Sequence, residues 1–392
     1  MRYDYSEFSG QNFLTPDMLF LDPKLAAFIM QYGQEGLNAM ENLDPDQADY
    51  IQQLIEAGLL EVDPNAGNGG KLRLTPKMLQ GLQHQALLEI FSGLRQGSRE
   101  GHSAIASGRT TERTEGTRPY QFGDPLSEIE LNATLRNALH RDSNVTSRPP
   151  IQMRSDDFEL YVTEGSADCA TVMLIDQSGS MMRWGRFYQA KRVVLGMAAM
   201  IRQRFPQDTL DHVGFYSLAD AIDDRDIPLL MPKPVSIRNE QVRLRVPLDQ
   251  ALASKDKIPL HFTNLQLGLR LARQILSRRS AANKQIFIVT DGQPTAHIEP
   301  NKAGGEMLYL LYPPTGKSRD ITLAEALRCQ QQGIRIATFA LIEDYWAMDW
   351  VGFVDQMTRL TRGMAYYCTS EDLSSTVIES YLAGKKRKTF IH

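Results

Sequence analysis

The stretch TVMLIDQSGSMMRWGRFYQAK, residues 171–191, joins a hydrophobic run to a polar turn and then to a segment with helical spacing. The run before Asp176 is apolar without alternation, which is typical of a strand buried on both faces of a parallel sheet. It ends in one carboxylate and two hydroxyls set two residues apart, Asp176, Ser178 and Ser180. Hard divalent cations prefer such oxygen ligands. The stretch therefore predicts a buried strand, a candidate cation-binding loop and a helix, in that order.

Strands and helices continue to alternate as far as residue 382. Further strand-like runs are LDHVGFYS, KQIFIVTDG, IRIATFAL and MAYYCT. Amphipathic segments lie between them. This alternation predicts a doubly wound, mostly parallel, Rossmann-like α/β sheet over residues 168–392. Ligands of such sheets bind beyond the carboxyl ends of the strands. Asp176 and Asp291 both stand at that end of their predicted strands.

The chain before this region predicts a small α+β, mainly helical N-terminal region over residues 1–95. Two segments with helical spacing, 45–57 and 76–94, flank the short runs GLLEVD and KLRLTP, an order that resembles a winged-helix module. Between residues 37 and 95 there are eight acidic residues and four basic ones. Because phosphate binding needs the opposite balance, we expect no nucleic-acid partner, and transcription regulation is the least favoured function.

Two further segments separate this region from the α/β region. Residues 96–124 are rich in Gly, Ser, Thr and Arg and show no period, which predicts a flexible linker. Residues 125–167 are predicted to be a connecting helical segment, with one helix over 125–140.

Bulk properties narrow the class of protein. The net charge of −4 favours neither nucleic acid nor an anionic membrane, and the first residues, MRYDYSEFSG, lack the apolar core of a signal peptide. No apolar run approaches the roughly 20 residues of a membrane span, so no membrane partner is expected. Cys169, Cys329 and Cys368 are widely spaced and predict buried free thiols in a reducing compartment. We therefore expect a cytoplasmic protein.

Two more polar positions complete a candidate metal site. Thr263 precedes a predicted helix in HFTNLQLG, and Asp291 follows a buried strand in IVTDGQPT. Together with the Asp-x-Ser-x-Ser loop, this set resembles the metal-ion-dependent adhesion site (MIDAS) of the von Willebrand factor A (VWA) domain family, over residues 168–382.

The resemblance assigns a role to each position. It implies that Ser178, Ser180 and Thr263 supply hydroxyl ligands, and that Asp176 and Asp291 hold the ion directly or through water. The implied metal is Mg²⁺, with Mn²⁺ or Ca²⁺ as alternatives, and the implied partner is a protein that offers an acidic residue to the metal. The long connection over residues 218–262 predicts extra structure before Thr263. The simpler alternative is that Asp176 and Ser178 cap a helix and Asp291 forms a turn.

Enzymatic alternatives have weaker sequence support. The Ser178 loop lacks the Gly-x-Ser-x-Gly of a hydrolase elbow, although His297 is near enough in sequence to make a metal-dependent hydrolase the second hypothesis. PPTGKS ends like a phosphate-binding loop, but Leu311 stands where the first glycine is required. The cysteines lack the Cys-x-x-Cys spacing of zinc sites.

Within the VWA family, this chain resembles intracellular prokaryotic proteins of the CoxE-type and MoxR-associated group, because it too has a helical region ahead of the A domain. That resemblance implies a non-enzymatic, Mg²⁺-dependent interaction protein that assists a MoxR-type AAA+ ATPase acting on a client protein.

Overall fold

Strand β5 (Cys169–Asp176) lies inside a six-stranded sheet, and all eight of its residues are buried. Its neighbours β6 (Thr209–Phe215) and β9 (Asn283–Thr290) run parallel to it on opposite sides. The carboxyl ends of β5 and β9 therefore border a topological switch point, where open α/β sheets bind ligands. The other strands are β7 (Ala219–Ile222), antiparallel to β6 at one edge, and β12 (Ile334–Leu341) and β13 (Met364–Cys368), which continue the parallel order beyond β9.

Helices cover both faces of this sheet. Helices α5 (Arg186–Arg204) and α10 (Leu373–Lys386) pack on one face, and α7 (Leu265–Ser277), α8 (Gly316–Gln331) and α9 (Met348–Thr361) pack on the other. Two apolar cores result, one on each side of β5. The prediction of a doubly wound, mostly parallel α/β sheet is confirmed.

These coordinates come from a computed structural model of the 392-residue chain. The structure describes residues 22–41, 45–62, 71–97, 113–120, 129–141, 153–163, 168–237, 239–301, 304–342, 348–369 and 372–386. Most of the predicted linker, residues 98–112 and 121–124, and the predicted helix start at residue 125 lie outside them.

A second sheet, which the sequence did not predict, has three antiparallel strands in the order β10–β11–β8. They are β8 (Val242–Pro247), β10 (Ala296–Pro300) and β11 (Glu306–Tyr312), and a short helix α6 (Leu248–Ala253) follows β8. Their buried side chains form a third core with Tyr216 and Phe262. The extra structure expected before Thr263 is therefore partly this sheet, and β10 begins five residues after Asp291.

The N-terminal part shares a core with the α/β sheet. Its elements are α1 (Pro23–Glu41), α2 (Pro45–Glu56), β1 (Leu60–Val62), β2 (Leu72–Leu74) and α3 (Pro76–Gly97), with β1 and β2 paired as an antiparallel hairpin. Apolar residues of α1 and α3 join those of α5 and α10 in one cluster. Residues 1–101 and 168–392 consequently make one compact unit. The N-terminal region is thus helical as expected, and the winged-helix comparison stays a prediction.

Residues 102–167 make a second unit. Strand β3 (Arg113–Pro119) pairs antiparallel with β4 (Glu159–Thr163), and helix α4 (Leu131–Arg141) lies between them in sequence. The structure differs here from the expected linker and helical segment, because each of them contributes a strand. The paired residues are forty to fifty positions apart in sequence, and the Thr- and Arg-rich β3 shows no local apolar period that would reveal the strand.

The structure also bears on the cysteines and on the length of the apolar helices. Cys169, Cys329 and Cys368 are buried, and none of the three forms a disulfide bond within the described residues, as predicted. Within the described ranges, no helix has both the length and the apolar character that crossing a membrane requires.

Candidate metal centre

Asp176, the last residue of β5, is completely buried. Its Oδ1 accepts a hydrogen bond from the backbone N–H of Ser178 over 2.8 Å, and its Oδ2 accepts one from the Thr290 hydroxyl over 2.6 Å. Thr290 is the last residue of β9, and the register places Ile175 opposite Val289. The loops that follow β5 and β9 therefore start at the same level of the sheet.

The two serines and Asp291 form a continuous set of oxygen atoms. Ser178 Oγ lies 3.1 Å from Ser180 Oγ, and the Ser180 hydroxyl donates to Asp291 Oδ1 over 2.7 Å. The chain between Ser180 and Asp291 is 111 residues long. The parallel pairing of β5 with β9 brings these positions together.

The backbone of Thr263 is hydrogen-bonded to the segment that follows Asp291. Its N–H donates to Thr295 Oγ1 over 2.8 Å, and its carbonyl oxygen accepts from the N–H groups of Thr295 and Ala296. Two residues earlier, the His261 carbonyl accepts a hydrogen bond of 3.1 Å from Gly179 N–H, between the two serines. The segment before α7 is therefore held against the serine loop. Asn264, not Thr263, is the N-cap of α7 and accepts from Leu267 N–H.

The capping alternative explains little of this loop. Ser178 precedes a 3₁₀ turn, Gly179–Gly185, but makes no side-chain capping hydrogen bond to it, and Gly185, the N-cap of α5, has no side chain to make one. Asp176 does accept from the N–H two residues ahead, as in an Asx turn. Its second oxygen, however, is bound to another strand rather than to a helix end.

The oxygen set fits a Mg²⁺ ion. In octahedral geometry with metal–oxygen distances of roughly 2.1 Å, adjacent ligand oxygens are about 3.0 Å apart. The Ser178 and Ser180 hydroxyl oxygens are 3.1 Å apart, which is compatible with that edge and is also the length of the hydrogen bond that joins them. Among the described residues, no cluster of three or more His, Cys, Asp or Glu side chains offers the nitrogen and sulfur ligands typical of zinc. The hydroxyl-rich set with two carboxylates is therefore the candidate cation site.

The two carboxylates affect each other electrostatically. Burial raises the pKa of Asp176 to about 7, and the charge of Asp291 acts in the same direction. Hydrogen bonds from Thr290 and Ser178 favour the ionised form and oppose this pKa shift. A bound divalent cation is a larger local charge than either carboxylate and favours the ionised form of both.

A third charged group in the site was missed by the sequence analysis. Arg186 Nη1 donates to Asp291 Oδ2 over 2.6 Å, and the side chains of the pair are 7 % and 0 % exposed. The guanidinium carbon also lies 4.5 Å from the centroid of the Trp184 ring. Arg186 is part of the stretch that predicted the loop, but nothing in its spacing indicates a partner 105 residues away.

Large apolar side chains are exposed beside these polar atoms. Met182 and Trp184 lie in the same 3₁₀ turn as Ser180, and each is 56 % exposed. Val235, which is 44 % exposed, lies over the serine loop, because a Cβ on Gly179 would come within 2.6 Å of its Cγ2. We call Met182, Trp184 and Val235 the apolar rim. Exposed apolar groups clustered around a polar site are typical of a protein-binding surface.

His297, the base of the hydrolase hypothesis, belongs to a different network. Its Nδ1 lies 2.9 Å from Ser318 Oγ, its Nε2 lies 2.9 Å from Glu299 Oε1, and its ring stacks on Tyr309. The imidazole is buried, and burial lowers its pKa. Both ring nitrogens are thus engaged away from Asp176, Ser178, Ser180 and Asp291. Ser318 of this network is the last residue of the PPTGKS segment, residues 313–318. Thr315 of the same segment is the N-cap of α8.

A doubly wound sheet with the Asp-x-Ser-x-Ser loop and the Asp291 loop at one edge defines the VWA class of domains. Residues 169–382 match the family described as "Rv0959-like protein, vWA domain", and residues 112–163 match "Rv0959-like protein, third domain". The chain belongs to the Rv0959-like family.

Similar proteins include "Uncharacterized protein Rv0959" from Mycobacterium tuberculosis and "Uncharacterized protein Mb0984" from Mycobacterium bovis. Each is 27 % identical over 368 residues, which are 93 % of this chain and 49 % of the relative. The chain therefore spans about half the length of the curated relatives it matches.

Solved structures with some similarity include the vWF domain of the pili tip protein Mfa5 from Porphyromonas gingivalis and the VWA domain of SpRpn10. The Mfa5 domain is 13 % identical, with a TM-score of 0.39 over 58 % of this chain and 99 % of that one. The SpRpn10 domain is 14 % identical, with a TM-score of 0.32 over 54 % of this chain and 94 % of that one.

Proposed function

We propose that this protein is a Mg²⁺-dependent protein-interaction module. In this proposal Ser178, Ser180 and Thr263 hold the ion with Asp176 and Asp291, and a partner protein completes the coordination shell with an acidic side chain. The observation that carries the proposal is the meeting of Ser178 Oγ, Ser180 Oγ and Asp291 Oδ1 in one hydrogen-bonded set at the switch point of the sheet.

The chemistry of the donor set supports binding rather than turnover. The bound ion supplies positive charge that attracts a carboxylate. The chain's own residues hold the two serine hydroxyl oxygens 3.1 Å apart, and the exposed apolar rim beside them offers a surface that a partner can cover. His297, the candidate base, is bound to Ser318 and Glu299 instead.

The proposed partner is a MoxR-type AAA+ ATPase that acts on a client protein. The support is the resemblance to MoxR-associated VWA proteins, which place a helical region ahead of the A domain. Here the N-terminal helices α1 and α3 pack in the same core as α5, which begins directly after the serine loop. A motor that binds both regions would contact one compact unit.

Calorimetric titration with Mg²⁺ and Mn²⁺ tests the metal site. The parent should bind metal, and Asp176→Ala/Ser178→Ala should not, while circular dichroism shows an unchanged fold. If the parent binds no metal even with a high concentration of acetate to replace the partner's carboxylate, the proposal is wrong.

Association and turnover test the functional class. A purified MoxR-type ATPase from the same organism should bind the parent in Mg²⁺, and EDTA or the double substitution should abolish that binding. Turnover of model esters or phosphoesters by the protein alone, lost in His297→Gln, would instead establish the hydrolase hypothesis.

A further inference from the structure

Arg186 and Asp291 form an ion pair at the candidate metal centre. Asp291 Oδ1 accepts from the Ser180 hydroxyl and Oδ2 accepts from Arg186 Nη1, so both oxygens of this carboxylate are engaged by the chain itself. The pair is buried, and the Trp184 ring covers the guanidinium. A buried ion pair of this kind loses much hydration energy, which its own attraction only partly restores.

Helix stability does not explain the position of this arginine. Arg186 is the first residue of α5, where the partial positive charge of the helix N-terminus disfavours a cation. Arg183, three residues earlier in the 3₁₀ turn Gly179–Gly185, is exposed. The fold therefore buries one positive charge at the candidate metal centre and leaves the neighbouring one in solvent.

Arg186 changes the net charge of the candidate metal centre. Asp176 and Asp291 alone would neutralise a divalent ion. With Arg186 the chain contributes a net charge of −1, and the loaded centre carries +1. A centre with a net positive charge in a half-buried site requires an anion, because an uncompensated buried charge is costly.

We propose that Arg186 is a specificity-determining positioning residue of the metal centre. It holds Asp291 through Oδ2, keeps that carboxylate from neutralising the ion, and so weakens metal binding on its own while strengthening the binding of metal together with a carboxylate. The partner group selected is a monoanionic carboxylate, such as an Asp or Glu side chain. This inference rests on the proposed function, because it needs metal at this site.

The test is calorimetric titration with Mn²⁺, with and without acetate, of the parent, Arg186→Gln, Arg186→Lys and Arg183→Gln. Arg186→Gln should bind Mn²⁺ alone at least about tenfold more tightly, the order expected when a unit charge several ångströms from a divalent ion is removed even with the screening of bulk water. The increase in Mn²⁺ affinity that acetate produces in the parent should largely disappear. Arg186→Lys and Arg183→Gln should behave like the parent.

Thermal unfolding gives a second readout that does not depend on the heat of metal binding. Arg186→Gln leaves Asp291 buried without its cation, so its metal-free form should melt below the parent. Mn²⁺ should raise its melting temperature more than it raises that of the parent.

The outcomes separate the two proposals. If the parent binds no Mn²⁺ with or without acetate, the metal site and this inference both fail. If the parent binds but Arg186→Gln binds more weakly, or Arg183→Gln produces the same gain, then Arg186 only supports the structure and this inference alone is overturned.

Discussion

Thr290 donates a hydrogen bond from its Oγ1 to Asp176 Oδ2 over 2.6 Å, and neither residue is exposed to solvent. The bond joins the ends of β5 and β9 and fixes the carboxylate that follows the most buried strand of the sheet. The hydrogen bond therefore joins two strands and also orients Asp176, a candidate metal ligand.

Thr290→Val should lower the free energy of unfolding by about 1–3 kcal/mol, because one oxygen of a buried carboxylate loses its donor. It should also weaken Mn²⁺ binding about tenfold, since groups that orient metal ligands typically have effects of this size. Denaturant unfolding and calorimetry measure the two effects.

The matched control is Thr209→Val. Thr209 Oγ1, at the start of β6, is buried and has no hydrogen-bond partner among the described residues. Its replacement by a methyl group should leave stability unchanged or raise it. Equal destabilisation by both substitutions would show that the Thr290–Asp176 bond contributes nothing specific.

Lys191 should make stability depend on pH. Its side chain is buried in α5, its Nζ donates to the carbonyl oxygens of Pro228 and Leu230, both at 3.0 Å, and burial lowers its pKa from the ordinary 10.5 to about 7. Between pH 7 and 10.5 the unfolded chain binds this proton and the folded chain releases it. The contribution to stability therefore rises with pH across this window and is flat below pH 7.

The measurement is denaturant unfolding of the parent and Lys191→Met at several pH values from 6 to 10. At ~1.4 kcal/mol per pKa unit, the free energy of unfolding of the parent should increase by several kcal/mol relative to that of Lys191→Met as pH rises. The exposed Lys257→Met serves as the control and should follow the parent. Parallel curves for the parent and Lys191→Met would contradict the prediction.

Gly196 of α5 lies at the contact with α3, where there is little space for a side chain. A Cβ at Gly196 would overlap Ile90 Cδ1, and the backbone of Ala86 lies 3.7 Å away. Gly196→Val should therefore overpack this contact and lower the free energy of unfolding by about 1–3 kcal/mol. Thermal and denaturant unfolding measure the loss.

Gly352 of α9 provides the comparison, because a Cβ there meets no atom within 4 Å. Gly352→Val should be neutral or slightly stabilising, since valine is the better helix former. If Gly196→Val were as well tolerated, the close packing of the N-terminal helices on α5 would be wrong.

The apolar rim should contribute to partner binding but not to metal binding. In Met182→Ser/Val235→Ser, two exposed side chains lose apolar contact area, so affinity for the proposed ATPase partner in Mg²⁺ should fall about tenfold. Calorimetry should show the same Mn²⁺ affinity as the parent. Leu360→Ser, which removes a comparably exposed apolar side chain from α9, should leave both affinities unchanged. A loss of Mn²⁺ binding in the rim variant would mean that these residues support the site rather than the partner.

Local patterns predicted most of the α/β sheet. The apolar runs that became β5 and β9 are continuous because those strands are buried on both faces, and a continuous run can be read in a single short window. The loops with Asp176, Ser178, Ser180 and Asp291 follow directly from those strand ends. Their shared position at one sheet edge follows from parallel pairing.

Pairings between distant segments could not be predicted in this way. Strand β8 lies more than fifty residues before its partner β11, and β3 pairs with β4 across a helix, so no local period marks them. Each of these strands is stabilised by neighbours that its own window of sequence does not contain.

By itself, the sequence determined the alternation of strands and helices and the oxygen-rich loops at the strand ends, because periodicity and residue type act over a few neighbouring positions. Only the tertiary structure decided that Arg186 meets Asp291, that the N-terminal helices share a core with α5, and that His297 bonds to Ser318 and Glu299. These contacts depend on which groups the folded chain brings within a few ångströms, and that proximity is a property of the packed molecule.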